Sequence, residues 1–227
     1  MLMRRARMSI GRLHIILSPD DGGRPRRSLP AFVADVAGNG ADVLQYRRKE
    51  GTLEQWIEEG RPIRAECRRH GVAFIVNDRL DLAQALDADG VHLGDDDMPL
   101  VEARRVVGAG MVIGRTTRHL DDVMRAEEQG ADYVGFGPVY PTRTKRIADA
   151  PRGVTMVAEV AEKSTIPIIA IGGIGLPDIG ELIGAGAYGI AVVGAVADAD
   201  DPAAETRRLR DAIDDARRSG EQRSRER

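Results

Sequence analysis

Apolar positions along the chain fall into short, nearly continuous runs, separated by longer stretches in which they recur at helical spacing. Eight runs stand out: Leu13–Ser18, Val43–Arg47, Ala73–Asn77, Gly90–Leu93, Met111–Gly114, Tyr133–Gly137, Pro167–Ile171 and Gly189–Val193. Runs that are apolar throughout, without strict alternation, belong to parallel strands covered on both faces. Between them, Leu53–Arg69 sets Trp56, Ile57, Ile63 and Cys67 on one side of a helix, and Leu100–Val107 forms another with Arg104 and Arg105 at its wet edge. Gly-Ala-Asp precedes two strands, at Gly40–Asp42 and Gly130–Asp132, and Gly186–Ala187 precedes a third. Glycine suits the left-handed position that closes a helix. This recurring unit of helix, Gly-Ala and buried strand predicts an α/β fold, a single (β/α)8 TIM barrel, in preference to an open doubly wound sheet.

The ends of the chain read differently. Asp198–Arg218 predicts a last amphipathic helix with Pro202 in its first turn. Residues 219–227 carry no apolar side chain and are expected to be a disordered charged tail, while residues 1–11 are expected to be a flexible basic extension. Residues 12–218 then form one barrel domain, with no Pro- or Ser-rich linker to divide it.

Composition narrows the function classes. With 227 residues, 33 basic against 36 acidic side chains and 42% hydrophobic content, the chain is an ordinary globular protein and not a disordered one. The single Cys67 excludes an internal disulfide framework and a cysteine-based zinc site. No stretch approaches the roughly 20 apolar residues of a membrane span. Arg4, Arg5 and Arg7 precede only a short apolar run, which does not make a signal peptide, so a cytoplasmic location is expected. Eight aromatic residues and a net charge of -3 argue against a nucleic-acid partner. Only Lys49, Lys145 and Lys163 are lysines, so arginine supplies the other positive charges.

In a parallel barrel the chemistry sits where strands end, so the polar residues just after each run are the informative ones. They are Gln45, Arg47 and Lys49 after the second; Asn77 and Asp78 after the third; Asp95, Asp96 and Asp97 after the fourth; and Thr116, Thr117 and Arg118 after the fifth. Thr142, Thr144 and Lys145 follow the sixth, Gly172 and Gly173 the seventh, and Gly194 the eighth. Arg47, Lys49 and Lys145 would converge on an anion, and Asp78 and Asp97 suit Mg²⁺, which takes one or two carboxylates and completes its shell with water and phosphate oxygens. Asp78 could instead cap the helix that follows, and the acidic triplet could be a solvated turn. The glycine loops suit a phosphomonoester held by backbone N–H groups, where a side chain would keep the phosphate away. Two phosphate sites in one barrel mouth point to a reaction joining two phosphorylated small molecules. No Ser/His/Asp arrangement is apparent; His92 reads as a core or wall residue and Cys67 as core packing.

The ordered set of motifs resembles the family of thiamine-phosphate synthase and thiazole tautomerase. It comprises Gln45-Tyr46-Arg47-Arg48-Lys49, Phe74-Ile75-Val76-Asn77-Asp78-Arg79, Asp89-Gly90-Val91-His92-Leu93-Gly94 with Asp97, Gly130 to Val139, Thr142-Arg143-Thr144-Lys145, and Ala170-Ile171-Gly172-Gly173-Ile174. The resemblance implies a Mg²⁺-dependent transferase. It would join aminopyrimidine-methyl diphosphate to thiazole phosphate with release of pyrophosphate. By the same pattern Arg47, Lys49, Asn77 and Lys145 would hold the diphosphate, Gln45 and Thr116 would also bind substrate, and Arg47, Lys49, Thr116 and Lys145 form the catalytic group. Asp78 and Asp97 would bind Mg²⁺; Thr142 and Thr144 would contact the thiazole, and Gly173 with Val193 and Gly194 its phosphate. Two of the three lysines, Lys49 and Lys145, fall on the lysine positions of this pattern.

Three residues depart from it. Arg118 stands where the synthase pattern has His, Gly194 where it has Ser, and Tyr46 where it has a smaller apolar residue. Arg118 is expected either to reach the diphosphate or to point into solvent. The tautomerase relative lacks the full Thr-x-Thr-Lys pattern and uses a His on the turn after the fifth strand; this chain has the first and not the second, with His119 one position further on. The tautomerase and a non-catalytic phosphate-binding barrel are the alternatives to the synthase.

Overall fold

In a computed structural model, which describes residues 10–20, 25–142 and 150–225, eight parallel strands pair in sequence order and close, with β8 against β1. They are β1 (Leu13–Leu17), β2 (Val43–Tyr46), β3 (Ala73–Asn77), β4 (Gly90–Leu93), β5 (Val112–Thr117), β6 (Tyr133–Phe136), β7 (Ile168–Ile171) and β8 (Gly189–Val192). The described helices are α1 (Leu29–Ala37), α2 (Leu53–His70), α3 (Leu80–Ala85), α4 (Leu100–Val107), α5 (Leu120–Glu128), α6 (Gly153–Lys163), α7 (Ile179–Gly184), α8 (Gly194–Ala197) and α9 (Pro202–Arg225). The molecule is thus a single closed (β/α)8 barrel. None of the described helices is long and apolar enough to cross a membrane.

Successive strand residues point to opposite faces, and the two faces bury different things. Leu13, Leu17, Leu44, Phe74, Val76, Val91, Ile113, Val134 and Ile190 pack outward with the helices into one large cluster. Ile16, Val43, Ala73, Ile75, Val112, Tyr133, Ile169 and Ala191 form a separate cluster inside the barrel. The inner face needs small residues where large ones enter: a side chain on Gly114 would collide with the Tyr133 and His92 rings.

The Gly-Ala-Asp repeat gains a physical meaning at the N-terminal end of the strands. Asp42 accepts from the backbone N–H of Leu13 at 3.0 Å and binds Arg210. Asp132 accepts from Ile113 N at 2.8 Å and binds Arg104. Asp89 does the same for Phe74 N at 2.9 Å and holds Arg64 through both guanidinium nitrogens. Each carboxylate therefore satisfies an orphan donor at the foot of the preceding strand and ties a helix to it.

Two sequence expectations need correction. The fifth strand continues through Thr116 and Thr117, because both stay in register with Gly135 and Phe136 of β6. The last helix runs on to Arg225 through the segment expected to be a disordered tail. An Arg217–Glu221 pair one turn apart supports this polar extension.

Candidate active site

Continuing the inward alternation of each strand by two residues leads to the barrel mouth. There Ser18, Gln45, Arg47, Asn77, His92, Thr116, Ile171, Ala191 and Val193 line a cavity of about 480 Å³, closed over by Pro138, Thr142, Gly172–Gly175 and Gly194. A larger, shallower depression of about 1030 Å³ lies at the opposite end, but its Arg12 is spent on the Tyr188 carbonyl (2.7 Å) and ring.

The cavity floor is a chain of buried polar groups. His92 bridges the Tyr133 hydroxyl through Nδ1 and the Thr116 hydroxyl through Nε2, each at 3.0 Å. Tyr133 also hydrogen-bonds Gln45, while burial pushes its phenol well above its ordinary pKa and keeps it a donor. These contacts fix the orientation of the Gln45 amide and the Thr116 hydroxyl, both of which face the cavity. His92, read from sequence as a wall residue, is one.

One rim carries charge. Arg47 donates to the Ser18 hydroxyl at 2.8 Å. Burial lowers its pKa, and the nearby charges of Asp78, Asp20 and Asp97 work the other way. Lys49 Nζ binds Asp78, and Asp78 shares a hydrogen bond with Asp97. Asp97 also accepts from Gly94 N at 2.6 Å. Burial opposes the charge on Asp78, yet hydrogen bonds from Lys49 and Asp97 and the Lys49 and Arg47 charges hold its carboxyl below the usual range. Asp97 moves upward, through burial and then its contact with Asp78. Two carboxyl groups in contact must share a proton or a cation.

Asp78 is not the cap of α3, a role that falls to Arg79. Its backbone sits at φ +66°, a left-handed conformation uncommon outside glycine. That geometry aims its side chain across to the loop after β4. The described residues hold no group of three or more His, Cys, Asp or Glu side chains able to ligate a metal. A pair of carboxylates beside the Arg47 and Lys49 cations does fit Mg²⁺, which leaves most of its shell to water and phosphate.

The opposite rim is glycine. Gly172 and Gly173 have φ of +99° and +68°, and a Cβ on Gly172 would lie 2.6 Å from Pro138 Cα. Only glycine keeps this turn open with its backbone facing the cavity. Gly194 begins α8 on the adjacent loop, next to Val193.

The structure therefore brings Gln45, Arg47, Asn77, Thr116, Thr142, Gly173, Val193 and Gly194 to one cavity, with Lys49, Asp78 and Asp97 clustered beside Arg47. Arg143, Thr144 and Lys145 lie outside the described residues. Arg118 does not point into solvent: it lines the cavity and pairs with Asp95 of the β4 loop, a residue that also faces Arg115 at 3.7 Å. Sequence reading passed over Ser18, Ala195 and Asp198, which line the same space. Ser18 could have been found by stepping two residues beyond Ile16 on the inward face.

Residues 13–196 match a family model described as thiamine monophosphate synthase. A thiamine-phosphate synthase of Haloquadratum walsbyi is 46% identical over 192 residues, covering 84% of this chain and 86% of that one. One of Salinibacter ruber is 42% identical over 210 residues, 92% of each. Among solved structures, a thiamine phosphate pyrophosphorylase of Pyrococcus furiosus superposes with a TM-score of 0.81 at 33% identity, covering 90% of this chain and 96% of its own.

Proposed function

The chain belongs to the thiamine monophosphate synthase family, and on that premise we propose how its barrel mouth carries out the transfer. It is a thiamine-phosphate synthase, a transferase of thiamine biosynthesis acting on small molecules. In our reading the substrates are aminopyrimidine-methyl diphosphate and thiazole phosphate. The carbon–oxygen bond from the pyrimidine methylene to the diphosphate breaks, pyrophosphate leaves, and the thiazole nitrogen forms the new bond to that carbon. The observation that carries this reading is that Arg47, with Lys49, Asp78 and Asp97 clustered beside it, shares one cavity with the glycine turn of Gly172 and Gly173 and with Gly194.

Arg47, Lys49 and Asn77 hold the diphosphate, and Lys145 joins them on the departing group. Asp78 and Asp97 would hold Mg²⁺, which when bound would supply positive charge to offset the negative charge of the diphosphate. Breaking the bond leaves electron deficiency on the pyrimidine methylene and negative charge on pyrophosphate. The task is therefore to stabilise the leaving group and hold the nucleophile in line, with no need of a strong base. Gln45 and Thr116, fixed by Tyr133 and His92, orient the pyrimidine. Thr142 and Thr144 contact the thiazole, while backbone N–H groups at Gly173 and Gly194, with Val193, take its phosphate.

Purified protein, both precursors and Mg²⁺, followed by mass spectrometry, test this. Thiamine phosphate should accumulate with turnover. Isomerisation of a thiazole carboxylate alone would indicate the tautomerase, and saturable binding without conversion a non-catalytic barrel.

A further inference from the structure

Pairing between β1 and β2 ends where Arg47 N donates to Leu17 O at 2.9 Å. Lys49 lies two residues beyond, so another contact must hold the backbone that presents it. That contact is Asp20, on the loop after β1. Its Oδ2 accepts from the backbone N–H groups of both Lys49 (2.7 Å) and Glu50 (3.2 Å). Its Oδ1 lies 3.0 Å from Arg48 Nη1, with the Asp20 side chain only 10% exposed.

Asp20 is itself braced. Arg48 Nε lies 3.4 Å from Glu59 of α2, and Glu59 accepts from the Tyr46 hydroxyl at 2.6 Å. Burial, then the hydrogen bond to Glu59, raises the Tyr46 pKa and keeps that phenol a donor. Tyr46 is one of the departures from the family pattern, and its hydroxyl is what anchors this network to the second strand.

Building on the diphosphate reading above, we propose that Asp20 is a positioning residue that acts through Lys49. It fixes the loop after β2 so that the Lys49 ammonium meets Asp78 and the diphosphate. Lysine has a long flexible stem, so the direction in which it reaches depends on how firmly its own backbone is held. Two charge-assisted bonds from consecutive N–H groups to one carboxylate supply that restraint. Asp20 itself touches no reacting group in this arrangement.

The test is a double-mutant cycle on the full chain, read by calorimetric binding of inorganic pyrophosphate in the presence of Mg²⁺. Asp20→Ala should weaken binding roughly tenfold, within the range that misplacing a binding group costs. Lys49→Ala should weaken it at least as much. The double variant should bind no more weakly than Lys49→Ala alone, because Asp20 then has nothing left to position. Asp20→Asn should recover part of the loss, since its amide oxygen still accepts a backbone N–H. Should Asp20→Ala fail to fold, Asp20→Asn takes its place in the same cycle. Wild-type affinity in the Asp20 variant, or an undiminished loss on top of Lys49→Ala, overturns the proposal while leaving the diphosphate site standing. A wild-type protein that does not bind pyrophosphate overturns the diphosphate reading and this proposal together.

Discussion

Asp78→Asn should weaken Mg²⁺ binding by about thirtyfold and leave the fold intact. The substitution is well matched to its place. Asp78 lies at φ +66°, and asparagine adopts the left-handed region at least as readily as aspartate. Its side-chain oxygen can still accept from Lys49, so the change removes a charge and little else. A carboxylate and a divalent cation about 4 Å apart at an effective dielectric of roughly 20 interact by about 8 kcal/mol, twice the value for two unit charges. Asp97 would remain as a second ligand, the amide oxygen of asparagine can still coordinate and water can fill in, so we expect about a quarter of that value, ~2 kcal/mol or about thirtyfold. The assay is a Mg²⁺ titration of turnover at saturating precursors, beside a thermal melt as control for folding. Activity at low Mg²⁺ should collapse and return in part at high Mg²⁺. An unchanged Mg²⁺ midpoint with wild-type turnover would refute the reasoning and reduce Asp78 to a turn residue.

Further expectations concern other parts of the site and fold. Lys145→Ala should lower kcat by about a hundredfold, ~3 kcal/mol for a well-placed charged donor, with a smaller change in KM; raised KM at constant kcat would limit Lys145 to substrate binding. Arg118→His should change KM for the pyrimidine diphosphate less than about threefold, because Arg118 is already engaged with Asp95, whose exposed ion pair is worth at most about 1 kcal/mol. A tenfold rise in that KM would mean that Arg118 leaves Asp95 for the ligand. His14 is fully buried, and burial lowers its pKa from 6.5 to about 4. Between those values the unfolded chain binds the extra proton, so the stabilisation is complete above about pH 6.5 and disappears as pH falls through 4. The shift corresponds to about 3 kcal/mol. Denaturant melts of the wild type against His14→Gln should show that difference in pH slope, and parallel curves would contradict it.

Much of the barrel was legible because a buried parallel strand needs apolar residues on both faces, and the eight apolar runs coincide closely with β1–β8. The glycines before the strands were legible for a similar local reason. β5 was cut short in the sequence because Thr116 and Thr117 are polar; pairing with β6 and an inward place for Thr116 override that preference. α9 was ended early because its last turns lack an apolar face, whereas local ion pairs carry it on.

The site was legible as a set of residues after strand ends, but not as an arrangement. Which of Asp95, Asp96 and Asp97 meets Asp78 depends on the closure of the β3 and β4 loops against each other. Arg118 illustrates the same limit, since its partner Asp95 is 23 positions away in the chain. Ser18 and Asp20 escaped notice because their roles come from contacts with the next strand's loop. Asp20 carries no signal in its own sequence neighbourhood, whereas the inward alternation from Ile16 does mark Ser18.

The most direct test of the central claim is single-turnover formation of thiamine phosphate by the purified chain with Mg²⁺ and both phosphorylated precursors, with pyrophosphate measured in the same samples. The account predicts thiamine phosphate and pyrophosphate appearing together in equal amounts, and neither when the thiazole phosphate is omitted. Pyrophosphate without thiamine phosphate, or no product from protein that binds both precursors, would contradict it.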